Sequence, residues 1–227
     1  MRETIECAAL FGSRSTPDRP TGDADAGAAM MSAGRLSRWR RNQACDAVIA
    51  RGAVACVLCG AVRKFALRAN GQRQIIDLAV AGDFIGFAPA DPGFFLEAVS
   101  NGTQIVSFTR EQIDGLAARF PAIAALMQHC AVDAIRRLEH HLLVQGRTTA
   151  REKVGAYLAE MSQRIERNGA NAIALPITRY DIADHLGIAV ETVSRTMTAL
   201  CRRGSIALKT PREVEIRDPT MLSETTD

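Results

Sequence analysis

A chain of 227 residues, of which 47% are hydrophobic and only 5% aromatic, is long enough for two modest domains with largely aliphatic cores. Its net charge of +3 permits an anionic partner without indicating one. Charged residues interrupt every apolar run before the roughly 18 residues that a membrane helix needs, and the first residues lack the apolar stretch of a secretory signal. These features predict a cytoplasmic protein with no membrane partner, in which the six scattered cysteines are free thiols.

The first segment, residues 1–34, is predicted to be a disordered tail. Between residues 12 and 34 the chain is rich in Gly, Pro, Ser, Thr, Asp and Ala. Such a composition buries too little apolar surface to offset the entropy that is lost on ordering.

Residues 35–118 show the pattern of a β domain, because short apolar runs alternate with turn signals. Four strands are predicted, at Val54–Leu58, Val62–Leu67, Ile75–Val80 and Gln104–Phe108. Asn70-Gly71 and Asn101-Gly102 suit two-residue hairpin turns, in which both central residues have positive φ. Strands at this spacing predict an all-β sandwich or barrel.

The period of the apolar residues changes at Arg119, and the segment 119–146 is predicted to carry one helix, about 37 Å long, that starts near Pro121. Pro121 suits its first turn, and no Gly or Pro follows until Gly146. Apolar residues recur along it at spacings of three and four, namely Met127, Ala131, Ala134, Leu138 and Leu142. Such a stripe either packs on its own chain or forms the seam of a homodimer, and its length favours the dimer.

Residues 147–227 carry two helix-start signals. Thr149 with Glu152, and Thr178 with Asp181, have the spacing of capping pairs, in which each side chain satisfies a free backbone N–H at the start of a helix. The second pair predicts a helix over Arg179–Leu186.

A turn, a second helix and a hairpin follow that helix. Gly187 is expected to end it in a left-handed conformation, and a further helix is predicted over Val190–Arg202, with Gly204 at its end. Ile206–Lys209 and Val214–Ile216 then form a two-stranded hairpin. Helix, short turn, helix and hairpin together predict a winged helix-turn-helix domain.

The second helix of this motif presents a polar face that suits DNA. On a helical wheel Glu191, Arg195 and Thr198 point away from the core side of the helix. Arg195 can donate two hydrogen bonds to guanine, and Glu191 can accept one from a cytosine amino group. The alternative is a surface Glu–Arg pair that stabilises the helix by roughly 0.2–0.5 kcal/mol.

Basic residues flank this face and are predicted to contact phosphates and fix the position of the protein on DNA. Residues 179–212 hold six Lys or Arg against three Asp or Glu. The predicted phosphate contacts are Arg179, Arg202, Arg203, Lys209 and Arg212.

The sequence Thr178–Gly187 followed by Val190–Arg195 closely resembles the helix-turn-helix of the CRP/FNR family of regulators. The family's effector-domain β-roll is resembled by three earlier segments, Gly60–Arg63, Asn70–Ile75 and Ala81–Gly86. The resemblance covers residues 45–217. It implies an α+β protein with an N-terminal β-roll like that of cyclic-nucleotide-binding domains, a long dimerisation helix and a C-terminal winged helix-turn-helix.

Within the family, Val190-Glu191 with Ser194-Arg195 resembles the FNR and FixK branch rather than the cyclic-AMP receptor branch. The resemblance implies a homodimeric activator of transcription, in low-oxygen or nitrogen-fixation-related gene control, that binds double-stranded DNA at a TTGA–N6–TCAA palindrome and contacts RNA polymerase. Glu191, Ser194 and Arg195 would read each half-site. Further DNA contacts are implied for Thr178, Val190, Thr192 and Thr198.

No cofactor is predicted. Relatives that bind cyclic nucleotides carry Glu after Gly and a later Arg with Ser or Thr, whereas this chain has Gly86-Phe87 and no Arg between Pro92 and Ser107. A buried phosphate without a cationic partner is unfavourable. Relatives with an iron–sulfur cluster use closely spaced N-terminal cysteines, and here only Cys7 lies in that segment.

No metal site is predicted either. Cys56 and Cys59 lie three apart on a strand and therefore point to opposite faces. Neighbouring histidines on a helix diverge by about 100°. The histidines are interpreted as surface polar groups, namely His129, His140, His141 and His185.

Cys201 is the candidate redox thiol, because it lies beside Arg202 and Arg203 and its oxidation would place negative charge near DNA phosphate. The alternative is a buried cysteine that closes the core of the helix-turn-helix. Two other functions stay open: a haem- or gas-sensing regulator of the same fold, and an enzyme. Against the enzyme stands the lack of a Ser/His/Asp order, a P-loop or a dinucleotide fingerprint.

Overall fold

The computed structural model describes residues 24–45, 53–87, 93–165 and 172–223. Contacts divide the chain into two compact units, Met1–Ala66 with Leu78–Arg137 and Leu67–Asp77 with Leu138–Asp227. The boundary between the units lies after Arg137, inside the helix Pro121–Gln145, and the hairpin segment Leu67–Asp77 belongs to the C-terminal unit. The part of the predicted tail before residue 24 lies outside the described residues.

Two β-sheets and three helices make up the described residues before Gly146. The sheets have the strand orders β1-β7-β2-β5 and β4-β3-β6. The four strands predicted from the apolar runs are confirmed, each with one or two more residues at an end. In chain order the elements are α1 (Ala24–Ala33), β1 (Arg35–Trp39), β2 (Val54–Cys59), β3 (Ala61–Leu67), β4 (Arg73–Val80), β5 (Phe84–Ile85), β6 (Phe94–Ala98), β7 (Thr103–Phe108), α2 (Arg110–Arg119) and α3 (Pro121–Gln145).

Strand β2 contributes to two separate cores, because successive side chains of a strand point to opposite faces. Ala55 and Val57 pack with residues of the second sheet, such as Val62 and Ala98. Val54 and Cys56 pack with residues of α1, α2 and α3. One face of the first sheet is therefore covered by the second sheet and the other face by helices.

Helix α1 contradicts the predicted disorder of residues 24–34. Ala26 and Met30 lie one turn apart, are fully buried, and pack in the cluster that contains Phe108 and Ile113. Residues 12–34 taken together are polar and rich in Gly and Pro, but residues 24–33 are rich in Ala and Met, and these apolar side chains are ordered by packing against a sheet and two helices.

The Asn-Gly turns differ from the prediction. The glycines, Gly71 and Gly102, have φ values of 79° and 78°, but the asparagine before each does not have positive φ. Between β3 and β4 the N–H of Gly71 donates to the carbonyl of Arg68 at 2.8 Å, and the N–H of Arg68 donates to the carbonyl of Gln72 at 2.8 Å. This pattern belongs to a type I turn followed by a left-handed glycine, a longer hairpin loop than the predicted one.

Helix α2 is absent from the sequence prediction, although the chain carries a signal for it. The side chain of Thr109 accepts from the N–H of Gln112 at 3.2 Å, and the side chain of Gln112 accepts from the N–H of Thr109 at 2.8 Å. This capping box is the same type of pattern that identifies the later helices. Helix α3 begins at Pro121 and ends before Gly146, as predicted.

Within the C-terminal unit the described residues from Ala150 onward form a winged helix-turn-helix, as predicted. Its three strands form one antiparallel sheet in the order β8-β10-β9. Both predicted capping boxes are present, at Thr149 and at Thr178. The elements are α4 (Ala150–Arg164), β8 (Ala172–Ala174), α5 (Arg179–Leu186), α6 (Val190–Arg202), β9 (Ile206–Leu208), β10 (Glu213–Ile216) and α7 (Thr220–Ser223).

Gly155 allows α4 and α7 to pack closely, and Gly155→Ala is expected to destabilise the unit by about 1–3 kcal/mol. A Cβ atom at this position would lie 2.3 Å from the carbonyl oxygen of Leu222, a backbone atom that cannot rotate away. The matched control is Gly115→Ala in α2, where a Cβ would meet nothing within 4 Å. The control is expected to gain about 0.5–1 kcal/mol from helix propensity. Urea unfolding followed by circular dichroism measures both, and a stabilised Gly155→Ala protein would contradict the close packing.

Candidate nucleic-acid interface

Local signals build the helix-turn-helix at the residues predicted for it. At the start of α5 the hydroxyl of Thr178 accepts from the N–H of Asp181 at 3.2 Å, and the carboxylate of Asp181 accepts from the N–H of Thr178 at 3.0 Å. At its end Gly187 adopts φ 65° and ψ 35°, the left-handed conformation that favours glycine. The turn of residues 187–189 then leads directly into α6.

One face of α6 holds it in the unit. Val193, Met197 and Leu200 are buried, as are Ile182 and Leu186 on α5. The α6 residues recur at spacings of four and three, so they form a single stripe along the helix. The predicted core side of the motif is confirmed, and the opposite side is free to meet a ligand.

The exposed face of α6 carries the predicted base-reading residues. Glu191, Arg195 and Thr198 are exposed, and Ser194 is half-buried. The hydroxyl of Thr198 donates to the carbonyl of Ser194 at 3.0 Å. Within the described ranges neither Glu191 nor Arg195 has an ion-pair partner, so the helix-stabilising Glu–Arg pair is not formed. Half-buried positions are taken by Thr178, Val190 and Thr192.

The surrounding charge is positive because two nearby acids are paired whereas the predicted phosphate contacts are not. Asp184 lies 3.1 Å from Arg73, and Glu215 lies 3.5 Å from Arg217. Of the part of the chain that the structure describes, no carboxylate pairs with any of the predicted phosphate contacts, which are Arg179, Arg202, Arg203, Lys209 and Arg212. Arg202, Arg203 and Lys209 are exposed. These cations are free to attract an anionic polymer.

Helix α3 exposes an apolar stripe that only partly matches the predicted one. Met127 packs against the core of its own unit, and Ala131 and Ala134 are half-buried. The large apolar side chains exposed on α3 are Val132 (40%), Ile135 (56%), Leu138 (40%), Leu142 (70%) and Leu143 (72%). The exposed stripe is rotated around the helix because the sheet beneath α3 uses the side that carries Met127.

Two histidines are buried, so their interpretation as surface groups is wrong. The rings of His141 and His185 stack with their centroids 4.2 Å apart, and the ring of Tyr157 lies edge-on at 5.8 Å from His185. Burial lowers the pKa of His141, and it lowers that of His185 to about 4 with the charge of His141 as a second cause. The spacing of His185 from Ile182 was the missed signal, because it places the ring on the buried face of α5.

The cysteines fit their sequence interpretation in part. Cys56 is buried and Cys59 is exposed. The prediction that they point to opposite faces is wrong, because a register shift after Val57 pairs Cys59 with Gln104, which lies on the same face of β7 as Val106, the partner of Cys56. Cys201 is a half-buried free thiol, and its redox role stays a prediction. Across residues 24–45, 53–87, 93–165 and 172–223, no three His, Cys, Asp or Glu side chains converge as a metal site would require. None of the helices in those ranges combines the length and the apolar character that crossing a bilayer demands.

Comparison with known proteins agrees with this architecture. The model of the Crp-like helix-turn-helix domain matches residues 152–225. The chain is 35% identical to the nitrogen fixation regulation protein FixK of Rhizobium meliloti over 164 residues, which are 72% of this chain and 73% of FixK. It is also 35% identical to the transcriptional activatory protein AadR of Rhodopseudomonas palustris over 162 residues, 70% of this chain and 67% of AadR.

Solved structures show the same fold. FixK2 from Bradyrhizobium japonicum is 29% identical and superposes with a TM-score of 0.73, covering 83% of this chain and 95% of FixK2. The relatives with these names are transcription regulators and not enzymes. With its N-terminal β-sheets, long helix and winged helix-turn-helix, the chain belongs to the CRP/FNR family of transcription regulators and to its FixK-like branch.

Proposed function

We propose that the protein acts as a homodimer that recognises a palindrome of the TTGA–N6–TCAA type, with Glu191, Ser194 and Arg195 of each protomer reading one half-site. The observation that carries the proposal is the unpaired, exposed state of Glu191 and Arg195 on a helix whose other face is buried. A side chain without a partner in its own protein has all its donor or acceptor groups available for the edge of a base.

The half-site chemistry matches these side chains. A TTGA half-site has one G·C pair, whose major-groove edge offers two acceptors on guanine and one amino donor on cytosine. Arg195 donates to the first, and Glu191 accepts from the second. A carboxylate in the groove is repelled by phosphates, so Glu191 contributes mainly by rejecting sequences without that donor.

Arg195→Ala is expected to reduce discrimination between specific and scrambled DNA by about 1–3 kcal/mol, because it removes the contacts to guanine. Arg203→Ala is the matched control, since Arg203 is equally unpaired but is a predicted phosphate contact. The control is expected to weaken binding to both duplexes alike and to lower the salt slope by about 1. Gel shifts with a TTGA–N6–TCAA duplex and a scrambled duplex, at several salt concentrations, measure both quantities. Equal affinity of the parent protein for the two duplexes would rule out the specific reader.

Dimer formation through α3 is supported by the large apolar side chains on its exposed face. Ile135, Leu138 and Leu142 recur at spacings of three and four, and an exposed apolar stripe of this kind is covered when two helices pack together.

Leu142→Glu is expected to shift the protein to monomer, because two carboxylates would face each other in an apolar seam. Gln163→Glu adds the same charge at an exposed position of α4 and is expected to leave the dimer intact. Sedimentation velocity measures the change, and binding to the palindrome should fall with it. If the Leu142→Glu protein stays dimeric, the dimer contact does not lie at this position of α3.

The physiological role is proposed from the relatives. Since FixK of Rhizobium meliloti is named a nitrogen fixation regulation protein, we assign this chain to low-oxygen or nitrogen-fixation-related gene control, as an activator that contacts RNA polymerase. No cyclic nucleotide or iron–sulfur cluster takes part in this proposal. Regulation by oxidation of Cys201 belongs to it as the one candidate sensing step.

A further inference from the structure

The C-terminal end of α5 is completed by side chains that lie outside the winged helix-turn-helix. The last carbonyl groups of any helix lack partners within it. In α5 the carbonyl of Asp184 accepts from Gln74 Nε2 at 3.0 Å, and the carbonyl of His185 accepts from Gln145 Nε2. Gln74 is the second residue of β4, in the hairpin that β3 and β4 form, and Gln145 is the last residue of α3.

The same hairpin makes two more contacts with α5. The guanidinium of Arg73 lies 3.1 Å from the carboxylate of Asp184 and 3.5 Å from that of Asp181, the capping residue of α5. Arg73 and Gln74 therefore engage both the start and the end of the first helix of the DNA-binding motif.

The orientation of the Gln74 amide is determined by a third partner. The guanidinium of Arg68 contacts Oε1 of Gln74. Because arginine can only donate, the oxygen of the amide must face Arg68 and the nitrogen must face α5. A glutamate at this position would keep the contact with Arg68 but would turn an acceptor toward the carbonyls.

We infer that Arg73, Gln74 and Gln145 are positioning residues for DNA binding, which form a polar clasp that fixes the end of α5 and, through it, the turn and the reading helix α6. Gly187 begins that turn, and a Cβ there would lie 3.0 Å from Oε1 of Gln145, so the clasp also touches the residue where the chain reverses. A helix end that frays would leave α6 in its reading position for a smaller fraction of the time, and apparent affinity falls with that fraction. The inference rests on the proposed function only for the choice of DNA.

Gln74→Glu in the full-length protein tests the clasp, with Gln72→Glu as its matched control. Gln72 is exposed in the same hairpin, and its side chain contacts Asn70 instead of α5. Gln74→Glu is expected to speed hydrogen exchange in peptides covering residues 179–189 and to weaken binding to the TTGA–N6–TCAA duplex roughly 3- to 10-fold, as for the loss of one hydrogen bond. The ratio of specific to scrambled affinity should stay the same, unlike that of Arg195→Ala.

Gln74→Met separates positioning from packing. It keeps the length of the side chain but has neither donor nor repelling acceptor, so its effects should lie between those of the parent and those of Gln74→Glu. Equal effects of the two variants, faster exchange throughout α4 and α6, or a Gln74→Glu protein that behaves like Gln72→Glu would overturn the inference. The parent protein could bind the palindrome and the scrambled duplex equally while hydrogen exchange at residues 179–189 still becomes faster from the parent to Gln74→Met to Gln74→Glu. That result would contradict the proposed DNA site but would support the clasp.

Discussion

Met197→Ala is expected to lower the free energy of unfolding of the C-terminal unit by about 2–5 kcal/mol. The side chain of Met197 is fully buried, and it lies on the face of α6 opposite the predicted base readers. Its removal leaves a cavity where α6 packs on the rest of the unit. Since a domain of this size is stable by only about 5–15 kcal/mol, DNA binding should fall with the population of folded protein.

The aromatic residues of the chain allow this loss to be assigned to one unit. The only tryptophan, Trp39, lies in the first unit, so its fluorescence follows that unit while circular dichroism follows the helices of both. Met197→Ala should shift the dichroism transition in urea and leave the Trp39 transition in place. Thr198→Ala, a change at the next and exposed position, is the control and should alter stability by less than about 0.5 kcal/mol. Equal shifts for the two variants would show that Met197 is not a core residue.

Acidification is expected to destabilise the C-terminal unit through its buried histidine pair. Burial lowers the pKa of His185 to about 4, whereas the unfolded chain takes up this proton near the ordinary value of 6.5. Between these two values the unfolded state binds more protons than the folded state, so stability is full above about pH 6.5 and falls as the pH decreases. His185 alone should account for about 2 kcal/mol between pH 7.5 and about pH 5. The lowered pKa of His141 acts in the same direction.

His185→Phe keeps a ring against His141 but removes this titration, so the difference in unfolding free energy between the two pH values should shrink. His129→Phe serves as the control, because that ring lies on α3 with its Nε2 3.3 Å from Asp133, away from the stacked pair. It should leave the pH dependence of the C-terminal unit as it is. An undiminished acid sensitivity of His185→Phe would place its source in other groups, such as Glu160, whose carboxylate pairs with His140 and Arg164.

Sequence patterns predicted the helix-turn-helix to the residue because every signal for it is local. Thr178 and Asp181 are three residues apart and satisfy each other's backbone groups, and Gly187 directly follows the helix that it ends. The periodicity of Val193, Met197 and Leu200 is likewise contained in α6. Helix caps and left-handed helix ends depend on interactions between residues that are close in sequence, so a short stretch of sequence is enough to predict them.

Features that depend on distant partners were missed or misread. Helix α1 is ordered by a sheet whose strands lie far along the chain, and composition alone indicated disorder. His141 and His185 are buried because they meet each other, which neither helix indicates separately. The clasp contact between Arg73 and Asp181 spans 108 residues. Such contacts form only when distant parts of the chain come together in the fold, so no local sequence pattern predicts them.

Because the clasp residues lie outside residues 147–227, the winged helix-turn-helix is not expected to bind DNA as well when it is transferred alone to another protein. A chimera that joined residues 147–227 to the N-terminal half of another regulator would keep α5 and α6 but would lose both glutamines that complete α5. Its reading helix would be intact in sequence and less stable in orientation. A domain swap between such regulators should therefore preserve DNA binding only when it includes three segments together. These are the hairpin of residues 67–77, the last turn of α3 and the winged helix-turn-helix.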